Sequence, residues 1–120
     1  MSTTLSELQR RVVAFSDERE WAQFHAPRNL AMAVSVEAAE LLELFLWCED
    51  EGPQPAVASR HARVAEEAAD VLITLLNLAE RAGFDLEAAV LAKLANNAER
   101  YPADRVRGKM LKYDEYGGEP

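Results

Sequence analysis

The spacing of apolar residues along the chain predicts helices rather than strands. In the first predicted helix an apolar residue recurs every three or four positions, at Leu5, Leu8, Val12 and Phe15. The segment from Thr4 to Glu7 has the form of a capping box, in which the threonine and glutamate side chains satisfy free backbone donors at a helix start. We therefore predict that the first helix begins at Thr4 and runs to about Trp21.

The second predicted helix follows a short connection over residues 23–28. Pro27 disfavours helical geometry at the residue before it, so the helix is predicted to start from a cap at or near Asn29. Its apolar residues continue to about Cys48. The glycine and two prolines in residues 51–55 then predict a clear break in the helical structure.

Two further helices are predicted after the break. Ser59 is a candidate cap for the third helix, and Gly83 is a candidate residue for its C-terminal end. Asp85 is a candidate cap for the fourth helix, which Pro102 should stop after Tyr101.

Four helices with short connections predict an all-α, four-helix bundle-like domain. We expect this domain to span residues 1–102, and residues 103–120 to form a C-terminal tail. The tail mixes basic and acidic side chains and ends near a Gly-Gly pair. We expect it to be loosely ordered, or ordered only against a partner subunit.

The middle helices carry apolar residues on more than one stripe. One stripe of the second helix holds Leu30, Val34, Leu41, Leu44 and Cys48. Outside it lie Met32, Val36, Leu42 and Leu46, and the third helix is similarly surrounded by Leu72, Ile73, Leu75 and Leu76. A helix that is apolar nearly all round is buried nearly all round, so we predict a homodimer or homotetramer.

Two acidic motifs interrupt these apolar helices. Glu37 and Glu40 form the first, and Glu67 and Asp70 form the second. Residues three apart lie on one face of a helix, so each motif directs two carboxylates to the same side. Isolated acidic pairs are common on solvated helix faces, but Glu37 lies inside an apolar stripe, where a break in the pattern suggests function.

Composition narrows the set of partners. A net charge of −8 over 120 residues argues against binding to nucleic acid or to an anionic membrane surface. The predicted second helix contains three glutamates, so it is not a candidate membrane span. Cys48 is the single cysteine, and no signal peptide pattern is found at the start, so we expect a cytoplasmic protein without disulfides.

The four carboxylates predict a site for a hard divalent cation. Neither motif contains a histidine, and oxygen ligands alone favour Mg²⁺, with Mn²⁺ as a second choice, over iron or zinc. Mg²⁺ in proteins is typically held by a few carboxylates together with substrate phosphates. An acidic protein of this kind can therefore bind a nucleoside triphosphate.

At this level of detail the chain resembles a known family. The segment Phe24-His25-Ala26-Pro27-Arg28-Asn29-Leu30, the two acidic motifs, Leu44 to Trp47 and the stretch from Lys93 to Pro102 are similar to the all-α nucleoside triphosphate pyrophosphohydrolases, the MazG-like group, and most of all to its dCTP pyrophosphatase branch. The resemblance extends from Leu5 to Pro102.

The resemblance implies Mg²⁺-dependent hydrolysis of a (deoxy)nucleoside triphosphate, such as dCTP or a modified dCTP, to the monophosphate and pyrophosphate. Such an activity would clear unwanted nucleotides from the cellular pool. The matching metal ligands are Glu37, Glu40, Glu67 and Asp70. The matching substrate contacts are Trp21, His25 and Trp47 around the base and sugar, and Lys93, Asn97 and Tyr101 at the phosphates and sugar.

Some assignments stay open at this point. Either Glu66 or one oxygen of Glu37 could accept the proton of the attacking water. Eukaryotic relatives place a histidine where this chain has Val12, so the preferred base is open. Trp21 and Trp47 could instead be core or interface aromatics, and His25 could tie down its loop.

Two other classes of function compete with this interpretation. One is a non-catalytic helical oligomerisation module whose acidic motifs are solvated or bind a structural cation. The other is a related pyrophosphohydrolase that acts on a different compound, such as phosphoribosyl-ATP.

Overall fold

The computed structural model describes residues 2–47 and 53–110, with the side chains of residues 53–59 left aside. The helices in these ranges are α1 (Leu5–Glu18), α2 (Pro27–Glu43), α3 (Pro53–Ala82), α4 (Leu86–Arg100) and α5 (Ala103–Val106), and Trp21–Phe24 form a 3₁₀ turn. The described residues contain no strand, which confirms the predicted all-α class. None of their helices combines the length and apolar character needed to cross a membrane.

Helix α1 starts with the predicted capping box. Thr4 Oγ1 accepts a hydrogen bond from the backbone N–H of Glu7 at 3.1 Å, and Glu7 Oε2 accepts one from the N–H of Thr4 at 3.1 Å. The predicted end near Trp21 is wrong, because Glu20 adopts a left-handed conformation with φ of 55° that stops the helix. Trp21 therefore lies in the 3₁₀ turn and does not belong to α1.

Helix α2 begins earlier and ends earlier than predicted. Pro27 occupies its first position, where a missing backbone N–H costs nothing because that donor would have no helical partner. The predicted cap at or near Asn29 is therefore wrong, because Ala26 occupies the cap position. The helix ends at Glu43 and a turn follows to Trp47. Cys48, the predicted end, lies outside the described residues.

Helix α3 begins at Pro53, inside the segment that the glycine and prolines predicted to be a break. Arg60 has non-helical angles (φ −130°, ψ 23°), so two helical segments meet there at a kink. The predicted start at Ser59 is wrong, although Ser59 directly precedes this kink. The end of α3 is as predicted, since Gly83 has φ of 86° and Phe84 N–H donates to Ala79 C=O at 2.9 Å in a Schellman motif.

The connection between α3 and α4 is fastened to α1 by polar side chains. The buried Gln9 donates from Nε2 to Phe84 C=O at 3.2 Å and accepts at Oε1 from the N–H of Leu86 at 3.3 Å. Ser6 Oγ donates to both carboxylate oxygens of Asp85, at 2.8 and 3.1 Å. As predicted, Asp85 directly precedes α4, and α4 ends before Pro102.

The chain divides into two compact units after Leu86. The first unit contains α1, the 3₁₀ turn, α2 and α3, and its most extensive contact joins α2 to α3. Its core contains Leu30, Leu44, Leu76 and Ala79. The second unit contains α4 and α5. The four-helix bundle and the division at residue 102 stay predictions.

Candidate active site

The two acidic motifs meet between α2 and α3. Oxygen atoms of Glu37, Glu67 and Asp70 all lie within 4.8 Å of one another. This placement follows from helix geometry, because Glu67 and Asp70 are three residues apart on α3 and both point toward α2. We call Glu37, Glu40, Glu67 and Asp70 the carboxylate cluster.

Glu40 completes the cluster electrostatically. Its negative charge acts on Glu37 and Glu67 and disfavours the ionised form of both. Burial is the largest cause that raises the pKa of Glu37, followed by the charge of Glu40. Burial likewise raises the pKa of Glu67, ahead of the charges of Glu40 and Asp70, while the Arg63 charge acts in the opposite direction.

Two oxygen atoms in the cluster are buried without a hydrogen-bond donor. They are Oε2 of Glu37 and Oε2 of Glu67, the two such side-chain atoms found among the described residues. A buried polar atom without a partner carries a desolvation cost of about 1–3 kcal/mol, more if charged. A hard divalent cation fits this donor set, since it takes carboxylate oxygens as ligands and neutralises their mutual repulsion. The cluster could therefore hold a metal ion.

An apolar cavity of about 560 Å³ lies in the same unit. Its walls come from α1, the 3₁₀ turn, α2 and α3, and the aromatic members are Phe15, Trp21 and Phe24. The aliphatic members are Val12, Leu30, Ala33 and Ile73. Polar side chains lie among them, namely Arg11, Ser16, His25, Asn29, Thr74 and Asn77. This volume and mixed lining are typical of small-molecule sites.

The apolar cavity and the carboxylate cluster share the same helix faces. On α2, Ala33 in the cavity wall precedes Glu37 by one helical turn. On α3, Thr74 and Asn77 follow Asp70 by four and seven residues, which places all three on one face. Thr74 Oγ1 also donates to the backbone carbonyl of Asp70 at 2.9 Å. A ligand with a charged end and a flat apolar end could therefore occupy both.

The structure places Trp21 and His25 in the wall of this cavity. Trp21 packs edge-to-face on Phe15, with ring centroids 5.8 Å apart and an interplanar angle of 69°. The backbone carbonyl of His25 accepts a hydrogen bond from Arg81 Nε at 3.0 Å, which ties the loop to α3. His25 thus combines an anchored backbone with a side chain that borders the cavity.

Two other predicted site residues of the first unit, Trp47 and Glu66, are not among the residues that line the apolar cavity. Trp47 is the last described residue of the turn after α2, is 91% exposed and has φ of 60°. Glu66 is exposed and is not one of the three residues whose oxygens converge. Lys93, Asn97 and Tyr101 lie on or directly after α4, in the second unit.

A second, polar cavity of about 470 Å³ borders the other end of the cluster. It is lined by Glu40 and Glu67 from the cluster and by Arg60 and Arg63 from α3. Arg60 Nη1 donates to the carbonyl oxygen of Leu44, so its guanidinium is held against the end of α2. Sequence reasoning missed both arginines, because basic residues in a helical pattern usually indicate only a solvated face.

Sequence reasoning also missed Ser16 and Asn77, which are only 4% and 8% exposed. The signal was present, because Ser16 follows Val12 and Asn77 follows Ile73 by one helical turn, where an apolar residue would continue each stripe. The same kind of interruption had singled out Glu37.

Known proteins are similar to this chain in sequence and in structure. Residues 32–115 of the chain match the family model described as the MazG-like family. dCTP pyrophosphatase 1 of Bos taurus is 46% identical over 112 residues, which are 92% of this chain and 66% of that protein. The protein of the same name from Homo sapiens is 46% identical over 114 residues, 93% of this chain and 67% of its own.

A solved structure is similar as well. The crystal structure of a pyrophosphatase from Archaeoglobus fulgidus superimposes with a TM-score of 0.75 at 38% sequence identity, covering 85% of this chain and 95% of that chain. This chain spans about two thirds of the length of the dCTP pyrophosphatases it matches. The extent of the family match shows that the chain belongs to the MazG-like family.

Proposed function

We propose that this protein hydrolyses a (deoxy)nucleoside triphosphate, dCTP or a modified dCTP, to the monophosphate and pyrophosphate with the help of Mg²⁺ or Mn²⁺. One observation carries the proposal, namely that the carboxylate cluster and the apolar cavity continue along the same faces of α2 and α3. A metal-bound triphosphate fits the first, and a base fits the second. The names of the similar proteins support the same chemistry.

In the proposed reaction a water oxygen attacks the α-phosphorus, and the bond from that phosphorus to the oxygen bridging the α- and β-phosphates breaks. Pyrophosphate leaves with the electron pair of that bond. The residues that would hold the metal are those of the carboxylate cluster. A bound Mg²⁺ supplies neutralisation of the phosphate charge and a lower pKa for a bound water.

The geometry favours Glu37 over Glu66 as the acceptor of the water's proton. Glu37 has a buried oxygen without a hydrogen-bond donor, and it is one of the three residues whose oxygens converge in the cluster. A carboxylate oxygen held there lies where a water beside the phosphates would release its proton. Glu66 is exposed and is not one of the residues whose oxygens converge.

In the substrate complex, Trp21 would stack on the base and His25 would contact the base or the sugar. Arg60 and Arg63 add positive charge beside the cluster, where the leaving pyrophosphate needs it. The contacts of Trp47 with the base, and of Lys93, Asn97 and Tyr101 with phosphate and sugar, stay part of the proposal on the strength of the family resemblance.

Nucleotide hydrolysis tests this function directly. Incubation with dCTP and Mg²⁺ should yield dCMP and pyrophosphate in equal amounts, since a single bond is broken. Chromatography of the nucleotide and an enzymatic assay for pyrophosphate provide the two readouts. Release of orthophosphate as first product, or full activity in excess chelator, would contradict the proposal.

A wider substrate panel separates the competing functions. It should include the other deoxynucleoside triphosphates, 5-methyl-dCTP and phosphoribosyl-ATP. A preference for phosphoribosyl-ATP would identify a related pyrophosphohydrolase with another substrate. No turnover of any compound, with folding intact, would favour a non-catalytic helical module.

We also propose that the protein assembles as a homodimer or homotetramer. The four apolar side chains that lie off the core stripe of α2, or in the turn after it, are all more than half exposed: Met32 at 60%, Val36 at 58%, Leu42 at 69% and Leu46 at 57%. Covering such side chains is favourable by about 25 cal/mol per Å² of apolar surface.

Sedimentation at micromolar concentration should therefore show a species of two or four chains. Leu42→Lys should shift the population toward smaller species, because it places a charge on the surface to be covered. Glu99→Lys on α4 adds positive charge without removing an apolar contact and serves as a control. A monodisperse monomer would contradict the assembly.

A further inference from the structure

The buried end of the apolar cavity has a polar floor. Ser16 of α1 and Asn77 of α3 both line the cavity and are both more than nine-tenths buried. Ser16 Oγ donates to Asn77 Oδ1 at 3.3 Å, so the two helices share this hydrogen bond. The other polar side chains of the lining are more exposed, namely Arg11, His25, Asn29 and Thr74, so Ser16 and Asn77 are its two buried polar residues.

Buried polar side chains usually satisfy each other, and the hydrogen bond to Ser16 does so for one side of the Asn77 amide. The other side is different. An asparagine carries two N–H donors in addition to its carbonyl oxygen. The Asn77 side chain makes no other hydrogen bond to a described residue, so its amide donors remain for a ligand.

The position of Asn77 matches the length of a nucleotide. Asn77 follows Asp70 by seven residues on α3, which is about 10 Å along a helix axis. Residues seven apart lie on nearly the same face of a helix, so Asn77 and Asp70 of the carboxylate cluster lie on the same face of α3. A nucleotide whose phosphates bind at the cluster can therefore reach the floor with its base.

We propose that the Ser16–Asn77 pair reads the hydrogen-bonding edge of the nucleobase and so sets which nucleotides this protein prefers. Asn77 donates to an acceptor on the base, such as a carbonyl oxygen or ring nitrogen. Ser16 is a positioning residue that holds the amide in this orientation. This assignment rests on the proposed function, because it takes the apolar cavity to be the base site.

The selectivity follows from the free-energy cost of burying an Asn77 N–H donor without a hydrogen-bond acceptor. A base that presents an acceptor to Asn77 replaces the hydrogen bond that water would have made. A base that presents a donor or a C–H leaves the amide buried and unpaired. Sites that hydrogen-bond a substrate discriminate far more strongly than purely apolar pockets for this reason.

Calorimetric titration with the α,β-imido analogues of dCTP, dTTP, dATP and dGTP tests the assignment, because their bridging nitrogen replaces the scissile oxygen and binding is measured without turnover. Imidodiphosphate, which has no base, is titrated as the reference ligand. All titrations contain Mg²⁺ and use the full chain. The variants are Ser16→Ala, Asn77→Ala, the double variant and Asn96→Ala, an exposed asparagine on α4, as the matched control.

Asn77→Ala should reduce the ratio between the weakest and tightest nucleotide Kd by at least roughly fivefold, the effect of one hydrogen bond in a buried site. Its Kd for imidodiphosphate should stay within about twofold of the parent, since the phosphate contacts are intact. Ser16→Ala should narrow the ratio in the same direction, and the double variant should resemble Asn77→Ala because the pair acts as a unit. Asn96→Ala should behave as the parent.

An unchanged ratio in both single variants overturns the assignment, as does an equal loss for every nucleotide and for imidodiphosphate, which would indicate a structural role. If Asn77→Ala does not fold, as judged by far-UV circular dichroism, Ser16→Ala decides alone. Pyrophosphate release by the parent separates the two proposals. An active parent with an unchanged ratio in the variants removes only the base-reading role, and a parent that binds selectively without releasing pyrophosphate removes only the hydrolytic function.

Discussion

Replacing Asp70 by asparagine should lower pyrophosphate release by at least about a hundredfold, since even partners that only orient metal ligands are worth about 10–100-fold. The substitution keeps the volume of the side chain and removes its negative charge. The oxygens of Glu37 and Glu67 lie within 4.8 Å of that of Asp70, so the cluster would lose one of three converging carboxylates.

The same variant should be at least as stable as the parent in the absence of metal. The charge of Asp70 helps to raise the pKa of both Glu37 and Glu67, which means that it disfavours their ionised forms in the folded protein. Removing that charge relieves repulsion that the unfolded chain does not feel. A catalytic loss together with retained or higher stability distinguishes a metal ligand from a residue that supports the fold.

Initial rates with dCTP at saturating Mg²⁺, together with thermal unfolding in chelator, provide the two measurements. Asp17→Asn is the matched control, because Asp17 is an exposed aspartate on α1 in the same compact unit. It should keep the activity of the parent. An Asp70→Asn protein that retains most of its activity, or one that unfolds well below the parent in chelator, would show that Asp70 is not a ligand.

Local sequence rules predicted the ends of helices where side chains or glycine decide them. The capping box at Thr4 and the Schellman motif at Gly83 depend on neighbouring residues only, and both are present. The rules failed where backbone conformation or proline position decides. Glu20 ends α1 in a left-handed conformation, which a glutamate in the sequence does not predict. Pro27 is the first residue of α2, whereas we predicted that it lies before the helix.

The carboxylate cluster was predictable because charge inside an apolar stripe is costly and therefore conspicuous. The apolar cavity was predictable only in part, at Trp21 and His25. Its depth depends on which side chains of α1 and α3 face each other, and Ser16 and Asn77 are 61 residues apart in the chain. No local pattern pairs two such positions, so their hydrogen bond emerges only once the helices are packed.

Mg²⁺ should raise the melting temperature of the protein at neutral pH and should do so less at acidic pH. The pKa of Glu37 and that of Glu67 are both raised above the ordinary value of 4.5 in the folded protein. A carboxyl group with a raised folded-state pKa opposes folding when it must ionise. That penalty is fully present above the raised pKa and fades as the pH falls toward 4.5.

Metal binding adds stability at neutral pH because it favours the folded state and compensates the crowded charges. At a Mg²⁺ concentration 100 times Kd the linkage amounts to about 2.7 kcal/mol, or on the order of 10 °C in Tm for a domain of this size. At pH 5 protons compete with the metal for the same oxygens, so the shift should shrink. Without metal, acidification relieves the penalty from Glu37 and Glu67. The metal-free protein should therefore lose less stability at low pH than a protein whose carboxylates have lowered pKa values.

Differential scanning calorimetry at pH 7.5 and pH 5, with MgCl₂ or with NaCl at equal ionic strength, measures both effects. The NaCl series removes general screening from the comparison, because screening depends on ionic strength and not on a specific site. Asp70→Asn should show a smaller Mg²⁺ shift at pH 7.5, and Asp17→Asn should show the full one. An equal shift at both pH values would mean that the metal acts elsewhere than at Glu37, Glu67 and Asp70. An equal shift with NaCl would mean that the effect is general screening and not metal binding.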